Sequence, residues 1–437
     1  MSSKCCQPLT IEIIRSTKPS RYFLSDLLNK QYQVNTDWSA IMGVFVNNPN
    51  TSLGFCLTVL KLVGFLDLRD TVNRYGLFSL LYSFFWFMFL VGFILVAQTS
   101  TMFQIWGDLA LMTNASFLLF TNLAFALKII NVLVRRRDVQ GIIDESNDEL
   151  SKENRQKGIE IVESCNRETT RSMYLYMWLS GVTVLGWVVS AEKNQLPLRA
   201  WYPYDTSKSP AYEITYANQS TALSIAALVN ICSDTLVTSL IAVCRCRLRL
   251  VALSLRTLCE HIQVPDNHLM TTEDEKIVYK RLQQCVMKHE AALRTARQIQ
   301  KCFTYPILAQ FTVSVVIICV TAYQLAIELN NRKWVRIVSM VAYLLCMALQ
   351  VFLYCYQGNQ LTEESLEIAD AAYECPWYTC SLRTRRALLI VMVRTRRVVC
   401  LTAGGFTKLS LGCFTSIIKA SYTFFTVLKQ VEDRNPK

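Results

Sequence analysis

Histidine is nearly missing from this chain, with three residues in 437, at positions 261, 268 and 289, and none is spaced to share a metal ion with another. No glycine-rich phosphate loop or nucleophile elbow occurs, and Cys244 and Cys246, one residue apart in a basic turn, do not have a zinc-ligand spacing. The chain is therefore read as a non-enzyme without cofactor or metal. A secretory leader is also lacking. The first 40 residues hold no apolar core of about 7–15 residues behind a basic start, so insertion is left to the first true membrane span.

Apolar residues are abundant, making up 52% of the chain. They gather in seven stretches, at 76–98, 105–134, 173–192, 215–244, 303–328, 335–357 and 400–428. Each reaches the ~20 residues that a helix needs to cross a hydrocarbon core of about 30 Å. The runs are too long and too continuously apolar for barrel strands, and lipid leaves the helix as the only other spanning form. The expected fold is an all-α membrane protein with seven transmembrane helices.

Lys and Arg divide unevenly between the two sides of such a fold. The segments 1–75, 135–172, 245–302 and 358–397 hold 33 of the 45 basic residues, the opposite side holds 9, and Lys128, Lys408 and Lys419 lie inside spans. Arg135, Arg136 and Arg137 follow the second span, and Arg245, Arg247 and Arg249 follow the fourth, at the membrane edge where the bias counts most. This places the N-terminus in the cytoplasm and the C-terminus outside. A G-protein-coupled receptor has the reverse orientation, and neither an Asp-Arg-Tyr nor an Asn-Pro-x-x-Tyr motif stands at a span end. The expected outer loops contain none of the 17 cysteines, which fits thiols kept in a reducing compartment. The net charge of +12 then reflects cytoplasmic loops beside an anionic leaflet, and nucleic acid is not an expected partner. Of the sequons at Asn50, Asn114 and Asn218, only the last falls where it could be glycosylated.

Two segments carry finer patterns. In 245–302, Thr272 and Glu275 are spaced as a capping box, and Val278, Leu282, Val286, His289, Leu293, Ala296, Ile299 and Phe303 recur every three or four residues. A helix is expected to start there, run straight into the fifth span, and pack its stripe against other cytoplasmic extensions, with His289 either packed in the interface or part of a site. In the last span, Lys408, Gly412, Thr415, Lys419, Tyr422, Thr426 and Lys429 share one helix face, and Leu411, Phe414, Ile418, Phe425 and Leu428 share another. Because an unpaired Lys in hydrocarbon costs about 3 kcal/mol, the polar stripe should face a water-filled path or pair with buried acids such as Asp234. Gly404 and Gly405 permit close packing or a break near its start.

The segment "YCYQGNQLTEESLEIADAAYECPWY", with Gly358, Ser365, Ala371, Tyr373 and Trp377, followed by "LTAGGFTKLSLGCFTSIIKASYTFFTVLK", resembles the insect odorant receptors. The stretch "LPLRAWYPYDTSKSPAYEITYANQ" and the helix carrying His289 extend the likeness over nearly the whole chain. The resemblance implies a subunit of a tetrameric, ligand-gated, nonselective cation channel in the plasma membrane of sensory-neuron dendrites. It also implies a tuning subunit that forms a heterotetramer with a separate odorant co-receptor. On this reading 1–75 is a cytoplasmic segment, 76–357 holds six spans around an odorant pocket, 358–399 is a cytoplasmic anchor, 400–428 is the pore helix and 429–437 is an outer tail. The related gustatory receptors share the topology, but their usual signature before the C-terminus is not matched by "SYTFFTVLKQV".

The implied pocket lies in the outer half of the bundle, and its expected lining is Met112, Ser116, Thr183, Gly186, Trp187, Leu223, Ser224, Met340 and Tyr343. This mixture suits a small volatile ligand with one polar handle. The implied pore constriction is Val427, beside Thr426 and just inside Lys429 and Gln430. A ring of apolar side chains there closes by dewetting. Four copies of Lys429 around a cation path would repel the ions, which favours mixed assembly.

Overall fold

A computed structural model describes residues 51–66, 76–107, 109–189, 209–260, 262, 270–331 and 334–434. Of the expected cytoplasmic segment 1–75, residues 1–50 and 67–75 lie outside the described residues, as do the end of the tail, most of the outer stretch before Pro210, His261 and His268. The described part belongs to one compact unit, 48–437.

It is built almost wholly of helix. Helix α1, Thr51–Leu62, precedes a first span in which α2, Gly76–Phe87, passes through a π turn, Met88–Gly92, into α3, Phe93–Gln104. There follow α4 (Leu109–Val134), α5 (Arg136–Ser151), α6 (Gln156–Val189), α7 (Ala211–Arg256), α8 (Thr272–Asn331), α9 (Trp334–Glu374), α10 (Leu382–Thr395) and α11 (Leu411–Arg434). Six of these helical runs are long and apolar enough to cross a membrane unaided. The seventh is α4, which counts when it is taken with α5 across a 72° bend at Arg135.

Helices α6 to α9 are 34, 46, 60 and 41 residues long, well beyond what the bilayer requires. Their excess lengths gather at one end of the bundle, here called the extended end. At that end the basic residues after the fourth span are interior groups. Arg245 is 2% exposed and donates to Glu168 (2.8 Å), Glu364 (2.9 Å) and Gln357 (2.6 Å). Arg247 donates to Thr295 at 2.5 Å and pairs with Glu149, while Arg249 reaches Glu364 at 3.1 Å. A buried guanidinium persists only when carboxylates and amides satisfy its donors, and here three helices supply them. Burial pushes the Glu364 carboxyl up, against the pull of Arg245 and Arg249.

Helix α8 runs unbroken into its span as its stripe requires, burying Val278, Leu282, His289, Leu293, Ala296, Ile299 and Phe303 against α5, α7 and α10, while Val286 stays 43% exposed. The cap sits one residue earlier than expected. Thr271 Oγ1 accepts from the Asp274 backbone N–H at 3.2 Å, which frees Glu275 to accept from Ser381 N at 3.0 Å and from the Ser381 and Thr384 hydroxyls. Glu275 thus caps a different helix, α10. Although burial alone would raise it, these three donors hold its carboxyl below the usual range.

The last span is shorter than the apolar run suggests. Residues 402–408 form a two-stranded hairpin, β1 (Thr402–Ala403) with β2 (Thr407–Lys408), whose turn uses Gly404 and Gly405 at φ +64° and +85°. Those are backbone angles that only glycine adopts without strain, so α11 begins at Leu411 and not at 400. The hairpin docks on α8 beside Pro306, through Gln300 Oε1 to Thr402 N (2.8 Å), Gln300 Nε2 to Thr402 O (2.9 Å) and Thr304 O to Gly404 N (3.1 Å). On its other side Gly358 of α9 lies so close that an added Cβ would stand 2.4 Å from Leu409 Cβ. The base of α11 is therefore clamped between α8 and α9.

Candidate functional site: a cavity beside a buried ion pair

Helix α7 forms the axis of the bundle, packed by α1, α6, α8 and α9. Asp234, 3% exposed, sits on this axis and gathers three other helices around it. It pairs with Lys128 of α4 at 2.7 Å and accepts from Tyr176 of α6 (3.0 Å), Tyr354 of α9 (2.9 Å) and Gln350 of α9. Lys128 also donates to Asn230 at 3.1 Å, and Gln310 of α8 donates to Gln350 at 2.8 Å. In a hydrocarbon medium each of these groups would be costly alone, and the network leaves the carboxylate and the ammonium satisfied.

A cavity of about 80 Å³ opens directly on this network. Tyr176, Ser180, Thr183 and Trp187 follow one face of α6, and Leu223, Ala226, Ala227 and Asn230 follow one face of α7. Leu118, Thr121, Asn122 and Phe125 come from α4, Tyr343, Cys346 and Met347 from α9, and Ile94 from α3. Trp187 and Tyr343 face each other with ring centroids 5.2 Å apart, and the Tyr343 and Thr121 hydroxyls share a hydrogen bond at 2.5 Å. Asn122 donates to Gln98 Oε1 at 2.9 Å, and Gln98 Nε2 is a buried donor without a partner in the structure. The walls are thus mostly apolar, with hydroxyl and amide groups at a few points. Most ligand sites measure several hundred Å³, so a volatile molecule fits only if side chains such as Trp187 swing aside.

Of the nine residues expected from the sequence, Thr183, Trp187, Leu223 and Tyr343 line this cavity together. Met112 and Ser116 precede the α4 lining, which begins at Leu118, and Met340 is buried one turn before Tyr343. Met112, Ser116 and Met340 thus stand outside the lining of this cavity. Gly186 serves helix packing, since a Cβ there would lie 2.3 Å from Ser339 Cβ. Ser224 is exposed and donates to its own helix at Ser220 O. Among the lining residues not expected, Tyr176 and Ser180 could have been found by stepping seven and three residues back from Thr183. Asn122 and Asn230 gave no such signal, because Asn within a span does not reveal which way it points. His289 is a packed residue of the α8 stripe, 7% exposed, and burial next to Arg394 pushes its imidazole pKa down.

Helix α11 contrasts with the cavity. Ile417 and Ser421 are buried, and Phe414, Ile418, Phe425 and Leu428 are half-buried against α8 and α9. Gly412, Thr415, Lys419, Tyr422, Thr426, Val427, Lys429 and Gln430 are exposed on the remaining faces, as is Lys408 in the hairpin. Asp234 is occupied by Lys128, so the stripe lysines do not find their counter-ion there.

The profile of the family described as "7tm Odorant receptor" matches residues 108–422. The chain belongs to the insect odorant receptor family. Among curated members, this odorant receptor is 28% identical to odorant receptor 46a, isoform A, of Drosophila melanogaster over 54% of its own length. It is 26% identical to odorant receptor Or1 of Anopheles gambiae over 60% of its length. These matches span 60% and 67% of the two relatives. The odorant receptor coreceptor of Ooceraea biroi is 29% identical over 37% of this chain and 34% of its own length. In structure, the receptor is similar to the olfactory receptor OR5 from Machilis hrabei in complex with eugenol, with a TM-score of 0.73 at 18% identity, covering 87% of this chain and 97% of that one.

Proposed function

We propose that this odorant receptor chain is the odorant-binding subunit of a ligand-gated, nonselective cation channel, assembled with odorant co-receptor subunits in the plasma membrane of olfactory neurons. The cavity bounded by Thr183, Trp187, Leu223 and Tyr343 takes a small volatile molecule, held by apolar walls and one hydrogen bond to the Thr121–Tyr343 hydroxyl pair or to Asn122. Helix α11 lines the pore, with Val427 at the constriction and Thr426, Lys429 and Gln430 beside it.

The observation that carries this reading is the exposed polar stripe of α11. A spanning helix with Lys419 near its middle, Lys429 at its end and an apolar window only 11% buried would be unstable facing lipid. Turned toward a water-filled axis shared by several subunits, the same face is solvated. Lys429 favours a mixed assembly, in which neutral co-receptor residues dilute its charge around the cation path. The charge count supports a cytoplasmic N-terminus and an outer C-terminus, with the extended end in the cytoplasm.

The test is expression of the full chain with and without an odorant co-receptor, recording membrane current against a panel of volatiles. The reading expects odorant-evoked cation current that requires both chains. Surface-expressed protein that binds odorant and signals only through a G protein, with no current of its own, would overturn it.

A further inference from the structure

We propose that this receptor holds an anionic glycerophospholipid in a groove between its first two spans, remote from the odorant cavity. The groove, of about 690 Å³, runs between α2 and the end of α4. Phe84, Ile130 and Val134 form its apolar wall, 60%, 45% and 78% exposed. Arg135, Arg136 and Arg137 close its end. The apolar wall alone describes ordinary contact with lipid tails. The three consecutive arginines at its end give the groove a preference for charge.

Their placement follows from the break in the chain. Helix α4 ends at Val134 and α5 leaves at 72°, so the arginines occupy the corner where the apolar span stops. The N-terminus of α5 lies in the same corner and carries no side-chain cap, which adds its partial positive charge to theirs. Three features limit that charge without cancelling it. Asp138 stands at the lip, Arg136 is engaged in an interaction of its own, and Arg135 reaches the Cys302 thiol on α8. This differs from the interior arginines at 245 and 247, whose charge is matched by buried carboxylates and which no headgroup can reach.

A phosphodiester or a carboxylated headgroup fits such a corner by charge-assisted hydrogen bonds to guanidinium, with one acyl chain along Phe84 and Val134. A free phosphate would satisfy the arginines and leave the wall bare. The two-part shape therefore points to a lipid. The choline headgroup, whose cation offsets the phosphate, gains least.

The test uses the full chain reconstituted with its channel partner in vesicles, where anionic lipid occupies both leaflets, so the outcome does not depend on orientation. The vesicles carry a phosphatidylserine with a photoreactive group in its acyl chain, or the matched phosphatidylcholine, and the labelled peptides are mapped. Preferential labelling by the serine lipid of the peptides containing Phe84 and Ile130–Val134 is expected, competed by unlabelled phosphatidylserine and not by soluble inositol phosphate. R137Q should lower that labelling about fivefold and R135Q/R137Q further, with odorant rank order unchanged. Equal labelling by both probes would reduce the groove to ordinary bilayer contact and overturn the proposal, as would its absence from both peptides, which would mean that another segment or partner covers the groove. Competition by inositol phosphate alone would make the corner a soluble-anion site. If a variant fails to assemble, the comparison of the two probes on the unaltered receptor still decides.

Discussion

Helices α7 and α11 both cross the membrane and both carry charge, but 83% of the apolar window of α7 is buried against 11% for α11. On α7 the charge is answered inside the chain, where Asp234 meets Lys128, two tyrosine hydroxyls and Gln350. On α11 Lys419 is exposed, and Ile417 and Ser421 face inward. A polar residue in a spanning helix must be satisfied by its own fold or by something outside it. The first arrangement makes a self-sufficient core beside a cavity, and the second leaves a polar surface that the chain itself does not cover. Only α11 carries a continuous polar stripe in its sequence, and the two helices differ as well in what surrounds them.

The sharpest way to break this contrast is to remove one partner on the α7 side. Asp234→Ala strands Lys128 in the bundle at a cost of about 3–5 kcal/mol, enough to abolish surface expression of a marginally stable protein. The double change Lys128→Met with Asp234→Leu should recover much of that expression, measured by surface labelling, because it leaves no buried charge unpaired. On the α11 side, Lys429→Gln should leave surface expression untouched, change cation permeability and keep the odorant rank order. Val427→Ala should raise leak current. Reversal-potential shifts in mixed-cation solutions check the first of these and unstimulated current the second.

Smaller effects are expected within the cavity. Tyr343→Phe removes the hydroxyl paired with Thr121, a net change of about 1 kcal/mol, and should shift half-maximal odorant concentration about fivefold without loss of expression. The smallest effect lies at the extended end. Burial depresses the pKa of His289 in the folded state, so the stability it contributes is complete above the unfolded value of about 6.5 and is lost as pH falls through the folded value. Thermal melts of the purified receptor should therefore decline between pH 7 and 5, and His289→Gln should flatten that decline.

The fold was legible because lipid enforces long apolar helices, and the continuous α8 could be read from its stripe alone. The start of α11 was legible only in part: Gly404 and Gly405 allowed a break, but "LTAGGFTKLS" is apolar enough to continue a helix, and the tertiary clamp of Gln300 and Gly358 fixes where the chain turns back. Arg245 and Arg247 read as edge charges because a count cannot tell a solvated arginine from one enclosed by Glu168, Glu364 and Glu149. Of the cavity lining, helical spacing placed Thr183 and Trp187 on one face of α6, but a single chain does not reveal at what depth Ser116 and Ser224 stand beside it.

If the exposed stripe of α11 lines a water-filled path, substituted-cysteine accessibility will show it. Cysteines placed singly from Thr415 to Gln430, in receptors assembled with the co-receptor and opened by odorant, would be exposed to a charged thiol reagent applied from the aqueous side. The account predicts that Thr415, Lys419, Tyr422 and Thr426 positions react and alter the current, while Ile417 and Ser421 positions do not. A current indifferent to modification along the whole stripe would contradict it, and α11 would then be a contact between subunits and not a pore.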